Sequence, residues 1–188
     1  MNPIRLVAGL GNPGVEYQDT RHNAGFWWVD RLASREGATL KPDSKMHGII
    51  GRAGDCWLIK PQTFMNASGR AVSALSRFYR IPPSEILVVH DELDLEPGTV
   101  RLKLGGGLGG HNGLKDIAAH LATQDFWRLR LGIGHPGERT QVSNFVLKPP
   151  SRQEEELILD AIGKSIDAWH LIATGQQQAA MLKLHTKN

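Results

Sequence analysis

The chain has 188 residues, 40% hydrophobic and 22% charged, with a formal net charge of +3. That length suits one domain burying roughly 70% of its unfolded surface, and the mild basicity permits an acidic partner such as nucleic acid without requiring one. A single cysteine, Cys56, excludes an internal disulfide framework, and the lack of a long apolar run or a signal-peptide core predicts a cytoplasmic protein that neither spans nor binds a membrane.

From the N-terminus, residues 5–10 (RLVAGL) are apolar and break at Gly11-Asn-Pro-Gly14, which predicts a buried strand feeding a tight turn. His22 follows an irregular polar loop. Phe26, Val29, Leu32 and Ala33 then recur at helical spacing up to Gly37, and Asn23 is placed to cap that helix with its side-chain oxygen. Residues 48–53 and 56–60 flank Gly54-Asp55 and predict a hairpin. Residues 61–69 (PQTFMNASG) open a second helix whose apolar stripe is Val72, Leu75 and Phe78. Residues 86–90 (ILVVH) predict a buried strand that delivers Asp91 at its end.

Residues 99–104 alternate as a half-exposed strand does, then enter the glycine-rich stretch 105–110 and a third helix with Leu114, Ile117 and Leu121 on one face. Residues 127–133 alternate again, and residues 143–147 are expected to form the last strand. Ser151 and Glu154 match a capping box behind Pro149-Pro150. They open a long amphipathic helix through Leu157, Ala161, Ile162, Ile166, Trp169 and Ile172 to about Gly175, followed by a short helix with Met181, Leu182 and Leu184. Strands alternating with helices predict a single three-layer α/β domain over residues 1–188, its C-terminal helices (about 151–185) packed on it. The hairpin and the closely spaced later strands predict a twisted mixed sheet.

Two stretches, Gly9–Gly14 and Gly105–Gly110, match the dinucleotide pattern G-x-G-x-x-G, yet neither has its setting. The first runs into polar, aperiodic sequence instead of a helix, and Asp30, the acid at the right distance, falls inside a helix. These glycines are better suited to letting backbone approach a ligand, with their amides free to bind an oxyanion or phosphate, or else to plain turn punctuation. Cys56, in the apolar run Cys56-Trp-Leu-Ile59, reads as an inert buried thiol.

Polar groups gather at strand ends and helix starts: Asn12, His22, Asn66, Asp91, His111 and Asn112. In open α/β sheets such positions converge on one crevice. A histidine near its reference pKa of about 6.5 can take a proton from water at neutral pH, and a carboxylate on its other nitrogen fixes the tautomer. Carboxamides can donate to a developing oxyanion or accept from substrate N–H groups without adding charge. No serine or cysteine lies in a nucleophile motif. His22, His90, Asp91 and His111 have no ligand spacing, so no metal is expected. Helix capping is the bland alternative for each asparagine.

Six stretches carry a closer likeness: GLGNPG with the following Tyr17, TRHNAG, PQTFMNASG, HDELDLEPG, GGLGGHNGLKDI and RLRLGIGHPG, in order across residues 5–148. On these the chain resembles the bacterial-type peptidyl-tRNA hydrolases, departing from some relatives by having Leu108 where they place a small or polar residue. The resemblance implies an enzyme that hydrolyses the ester between a peptide's C-terminus and the terminal ribose of tRNA, without metal or cofactor. It implies His22 as general base, Asp91 as the group that orients it, and Asn12 as a discriminator of N-blocked substrates. It further implies that Tyr17, Phe64, Asn66, Asn112 and His111 line the substrate site, and that Lys103 and Arg130 clamp a tRNA phosphate. The competing expectation is a non-enzymatic RNA-binding protein of the same fold. Nothing in the sequence reads as an obligate interface, so a monomer with tRNA as its partner is expected.

Overall fold

A computed structural model describes residues 1–186. Its centre is a seven-stranded mixed sheet in the order β2-β3-β4-β1-β5-β7-β6. The strands are β1 (Leu6–Gly9), β2 (Lys41–Asp43), β3 (Gly48–Ala53), β4 (Cys56–Pro61), β5 (Ile86–Glu92), β6 (Val100–Leu104) and β7 (Trp127–Gly132). The inner strands β4, β1, β5 and β7 run parallel, while β2–β3, β3–β4 and β6–β7 pair antiparallel. The parallel strands are nearly continuous apolar runs because both of their faces are covered.

The helices are α1 (Ala24–Glu36), α2 (Ser68–Phe78), α3 (Asn112–Leu121), α4 (Val142–Val146), α5 (Arg152–Asp167), α6 (Trp169–Ala173) and α7 (Gln177–His185). One face of the sheet packs Val7, Leu87 and Val89 against Trp28, Val29 and Leu32 of α1 and against α5, α6 and α7. The other packs Leu6, Ala8 and Val88 against Val72 and Leu75 of α2 and Leu114 and Ile117 of α3. Alternate residues of β1 thus serve opposite layers, as the period of a strand requires. The predicted three-layer α/β class with a mixed sheet is the observed one.

The turn before α1 is positioned by two glycines. A Cβ on Gly9 would collide with the carbonyl of Gly25, and one on Gly25 with the backbone of Leu10 and Val89. Helix α1 therefore lies directly on the ends of β1 and β5, and His22 is carried to the sheet's C-terminal edge. Gly9, in the first glycine stretch, serves this close packing of helix on strand. Gly11 faces the Phe26 ring and the Asn23 amide for the same reason.

Several expectations fail for identifiable reasons. Residues 143–147 are not a strand but belong to α4, preceded by a 3-10 turn at Arg139–Gln141. The sheet's edges are β2 and β6, and His185 of α7 accepts from the Leu102 amide of β6 at 3.1 Å. Coiling into a helix puts Val142 and Val146 on one side. The long C-terminal helix breaks at Ala168 into α5 and α6, which brings Trp169 edge-on to Trp28 with centroids 6.0 Å apart. Leu157 and Phe78 are exposed where burial was expected, Ile158 taking the inward position on α5. The Ser151–Glu154 capping box and the left-handed Gly37 behind α1 are both present.

Candidate active site

The C-terminal ends of β1 and β5 form the crevice. Chain leaving β1 passes through α1 on one face toward the β4 side of the sheet, while chain leaving β5 goes to the β7 side with α3 on the opposite face, and such a reversal opens a cleft at the strand ends. His22 sits there in a 3-10 turn (Arg21–Asn23), and Asp91 lies at the end of β5 with only 3% exposure.

His22 Nδ1 is 2.8 Å from Asp91 Oδ2 and 3.0 Å from Oδ1. Nδ1 is therefore the protonated nitrogen, and Nε2, which makes no hydrogen bond among the described residues, is left for the cavity. Burial pulls the His22 pKa down, but the charge and hydrogen bond of Asp91 outweigh it and hold the imidazole above its ordinary 6.5. For Asp91, burial pushes upward, yet the charge of His22 and the hydrogen bonds from His111 and His22 leave it well below the usual carboxylate range. Asp91 is an anion and His22 a base strengthened by it.

His111 supplies the second donor. Its Nδ1 accepts from the Leu114 amide at 3.3 Å, capping α3, so its Nε2 carries the proton and donates to Asp91 Oδ1 at 3.0 Å. Both ring nitrogens are engaged within the protein, and only the ring surface faces the cavity. Three ligand-type atoms of His22, Asp91 and His111 lie within 4.8 Å of one another. A metal there would need a lone pair on His111 Nε2, but with Nδ1 accepting from Leu114 that nitrogen carries the ring proton, so the trio fits a hydrogen-bond chain better than a ligand set. His90, the fourth residue of a conceivable ligand group, turns away: its Nδ1 donates to the Asp91 carbonyl at 2.8 Å. Burial and the neighbouring His111 push its pKa down to about 3.

Asn12 is the most rigidly held of the carboxamides. The Asn23 side chain grips its backbone from both sides, accepting from the Asn12 amide at 2.8 Å and donating to its carbonyl at 3.0 Å. Asn23 was expected to cap α1, and it makes no such bond. The Asn12 Oδ1 accepts from the Met65 amide at 2.7 Å, which leaves its Nδ2 as a donor toward the cleft. Asn66 and Asn112 make no side-chain hydrogen bond among the described residues and cap no helix; the α3 cap is His111. Both line the cavity that also holds Asn12, Tyr17, His22 and Phe64. Tyr17 and Phe64 meet edge-to-face at its mouth, 6.3 Å between centroids, with Phe64 59% exposed.

A second cavity of about 460 Å³ opens on the other side of His22, between Gly109–Asn112 and α4. Lys103 and Arg130 line a third, of about 220 Å³, which shares Leu108 and Gly109 with it. Arg130 Nε is paired with Glu92 at 2.8 Å. Sequence reading missed Arg128, directly opposite Lys103 in the β6–β7 register, whose Nη1 donates to the Gly107 carbonyl at 2.6 Å and steadies the glycine-rich loop. It also missed Ser143 and Val146, which face both cavities beside His22. The Cys56 thiol is buried in the sheet and its pKa is pushed up by that burial, away from nucleophilic use.

A three-layer α/β domain that holds an imidazole–carboxylate pair in its switch-point crevice has the arrangement of a hydrolase site. The chain belongs to the peptidyl-tRNA hydrolase family, whose model matches residues 6–188. It is 63% identical over 188 residues to the peptidyl-tRNA hydrolase of Nitrosospira multiformis, covering 98% of each chain. Against that of Thiobacillus denitrificans the identity is 60%, over 98% of this chain and 92% of the relative. The crystal structure of the Acinetobacter baumannii peptidyl-tRNA hydrolase superposes with a TM-score of 0.97 at 49% identity, covering 100% of this chain and 97% of the other.

Proposed function

We propose that this chain hydrolyses the ester between a peptide and the 3'-terminal ribose of tRNA, with His22 as general base and Asp91 as its orienting partner. The observation that carries the reading is the 2.8 Å bond from His22 Nδ1 to a buried Asp91, with Nε2 free between two cavities. His22 Nε2 takes a proton from water as the oxygen attacks the ester carbonyl. Asp91 stabilises the imidazolium, and the carbonyl oxygen, now an oxyanion, receives hydrogen bonds from carboxamide donors. Collapse breaks the bond to the ribose oxygen, which takes the proton back from His22. The peptide leaves as its carboxylic acid and tRNA as its free hydroxyl.

The same reading assigns the remaining roles. Tyr17, Phe64, Asn66 and Asn112 line the path of the terminal adenosine and peptide backbone, with the face of His111 completing the wall. Lys103 and Arg130 hold a tRNA phosphate, which sets register and carries no base sequence. Among the described residues no helix is long and apolar enough to cross a membrane. In this reading residues 1–188 act as one domain, a cytoplasmic monomer that needs no metal or cofactor. Release of labelled peptide from an N-acetylated aminoacyl-tRNA, with and without chelator, tests it. Release unaffected by chelator is expected, and tRNA binding without release would contradict it.

Asn12 gives a selectivity prediction. Its outward Nδ2 can donate to the carbonyl of an N-acyl group, whereas the ammonium of a free aminoacyl ester meets the positive end of the same amide dipole. Asn12→Ala should lower the preference for N-acetylated over free aminoacyl-tRNA by roughly 10-fold, about one neutral hydrogen bond. The ratio of the two kcat/KM values measures this, and an unchanged ratio would remove Asn12 from discrimination.

A further inference from the structure

Arg21 precedes His22 in the chain and is only 8% exposed. An arginine so buried depends on its partners, and among the described residues each of its nitrogens except Nε finds one. Its backbone N–H donates to the Lys148 carbonyl at 3.1 Å. Nη1 donates to the Phe145 carbonyl at 2.9 Å and to that of Lys148 at 3.4 Å. The guanidinium carbon lies 3.8 Å from the centroid of the Phe145 ring. Nη2 reaches Glu154 Oε1 at 3.3 Å, the same oxygen that accepts from the Ser151 amide in the α5 capping box. Apart from Glu154, every partner belongs to the end of α4 and the residues just after it.

Helix α4 has five residues, too short to be stable by itself, and its last carbonyls have no partners within the helix. It nonetheless forms one side of the cleft, with Ser143 and Val146 facing both cavities that flank His22. The two arms of the guanidinium fork divide: Nη1 donates to the Phe145 carbonyl of α4 and to that of Lys148, two residues past the helix, while Nη2 reaches Glu154 and the plane lies over the Phe145 ring. A lysine ammonium has neither the fork nor the flat face.

We propose that Arg21 is a positioning residue that sets the width of the substrate cleft, clamping the α4 wall at a fixed distance from the base it precedes. It acts through the wall and does not touch substrate. The proposal rests on the assignment of the His22 cleft as the active site.

The test compares Arg21→Gln, Arg21→Lys and Glu154→Gln with the unaltered chain. It measures hydrogen exchange of the 142–148 amides without substrate, and kcat and KM for N-acetylated aminoacyl-tRNA across pH. In Arg21→Gln, exchange at 142–148 should accelerate while the sheet amides stay protected, and KM should rise roughly 10- to 100-fold, since loss of fixed geometry at a cleft costs that much. The pH midpoint of kcat/KM should stay in place, because the His22–Asp91 pair is untouched. Arg21→Lys should recover part of the KM. Glu154→Gln keeps an oxygen acceptor for Nη2 and leaves the bonds to α4 intact, so KM should stay within roughly 3-fold of normal.

Unchanged protection at 142–148 in both Arg21 variants would overturn the proposal. So would uniform loss of protection across the fold with KM unmoved, the mark of a merely structural arginine. If Arg21→Gln does not fold, Arg21→Lys makes the same comparison with a smaller displacement. The exchange result is read without substrate and stands whether or not His22 proves to be the base, so the two failures are distinguishable.

Discussion

Replacing His22 by alanine should lower peptidyl-tRNA hydrolysis by about 10²–10⁴-fold, the range typical of a positioned general base. Affinity for tRNA should stay within roughly 3-fold, because phosphate contacts dominate nucleic-acid binding and the cavity lined by Lys103 and Arg130 does not include His22. The alanine variant has a structural side effect: it leaves buried Asp91 with His111 as its remaining side-chain donor. A lost partner for a buried charge costs about 1–3 kcal/mol or more. His22→Asn separates the two effects, since it keeps an N–H donor toward Asp91 but has no base. Both variants should be equally inactive in single-turnover release of labelled peptide, with the asparagine variant melting closer to the unaltered protein. Activity in either near the normal rate would remove His22 from the chemistry.

Asp91→Asn should be nearly as damaging and should also move the pH profile. Asp91 receives two donors, His22 Nδ1–H on Oδ2 and His111 Nε2–H on Oδ1. An asparagine has one acceptor oxygen and one NH₂, so one of the two histidines loses its bond or adopts the wrong tautomer. A fall in kcat of about 10²–10⁴-fold is expected. The direction of the pH shift follows from the causes. Asp91 alone holds His22 above 6.5 against the burial that lowers it. Without the carboxylate only burial remains, so the limb of kcat/KM that marks His22 deprotonation should move below pH 6.5. A limb that stays in place would contradict the pairing.

The same linkage separates stability from activity. A His22 pKa raised on folding contributes stability that is full below 6.5 and is lost as pH rises through the folded value. An Asp91 pKa lowered on folding contributes stability present above 3.8 and lost as pH falls below it. The pair therefore stabilises the fold most between those limits, while catalysis needs neutral His22 and rises toward and above the upper one.

Much of the fold was legible because it is written locally. The alternation of residues 86–90 and 127–133 with helical stretches defines the sheet, and Ser151 with Glu154 announces a helix start from four residues alone. What failed depends on partners distant in the chain. Residues 143–147 have strand-like composition, but Ser143 to Val146 coil into α4, which packs beside the turn that carries His22. Asn23 looks like a cap, and only the fold shows that Asn12 is within hydrogen-bonding distance of its amide. The positions of His22, Asp91, Asn12, Asn66 and Asn112 at element ends were enough to bring them to one crevice. The second donor on Asp91 and the Arg21 clamp were not readable, since each spans a separation in sequence that no local period records.

The most direct test of the central claim overlays two curves from one protein: the pH dependence of kcat/KM for N-acetylated aminoacyl-tRNA, and the NMR titration of the His22 ring. The free enzyme's essential base governs the first. Coincident midpoints above 6.5, with activity rising as His22 loses its proton, are the predicted result. Undiminished hydrolysis at a pH where the His22 ring is fully protonated would contradict it.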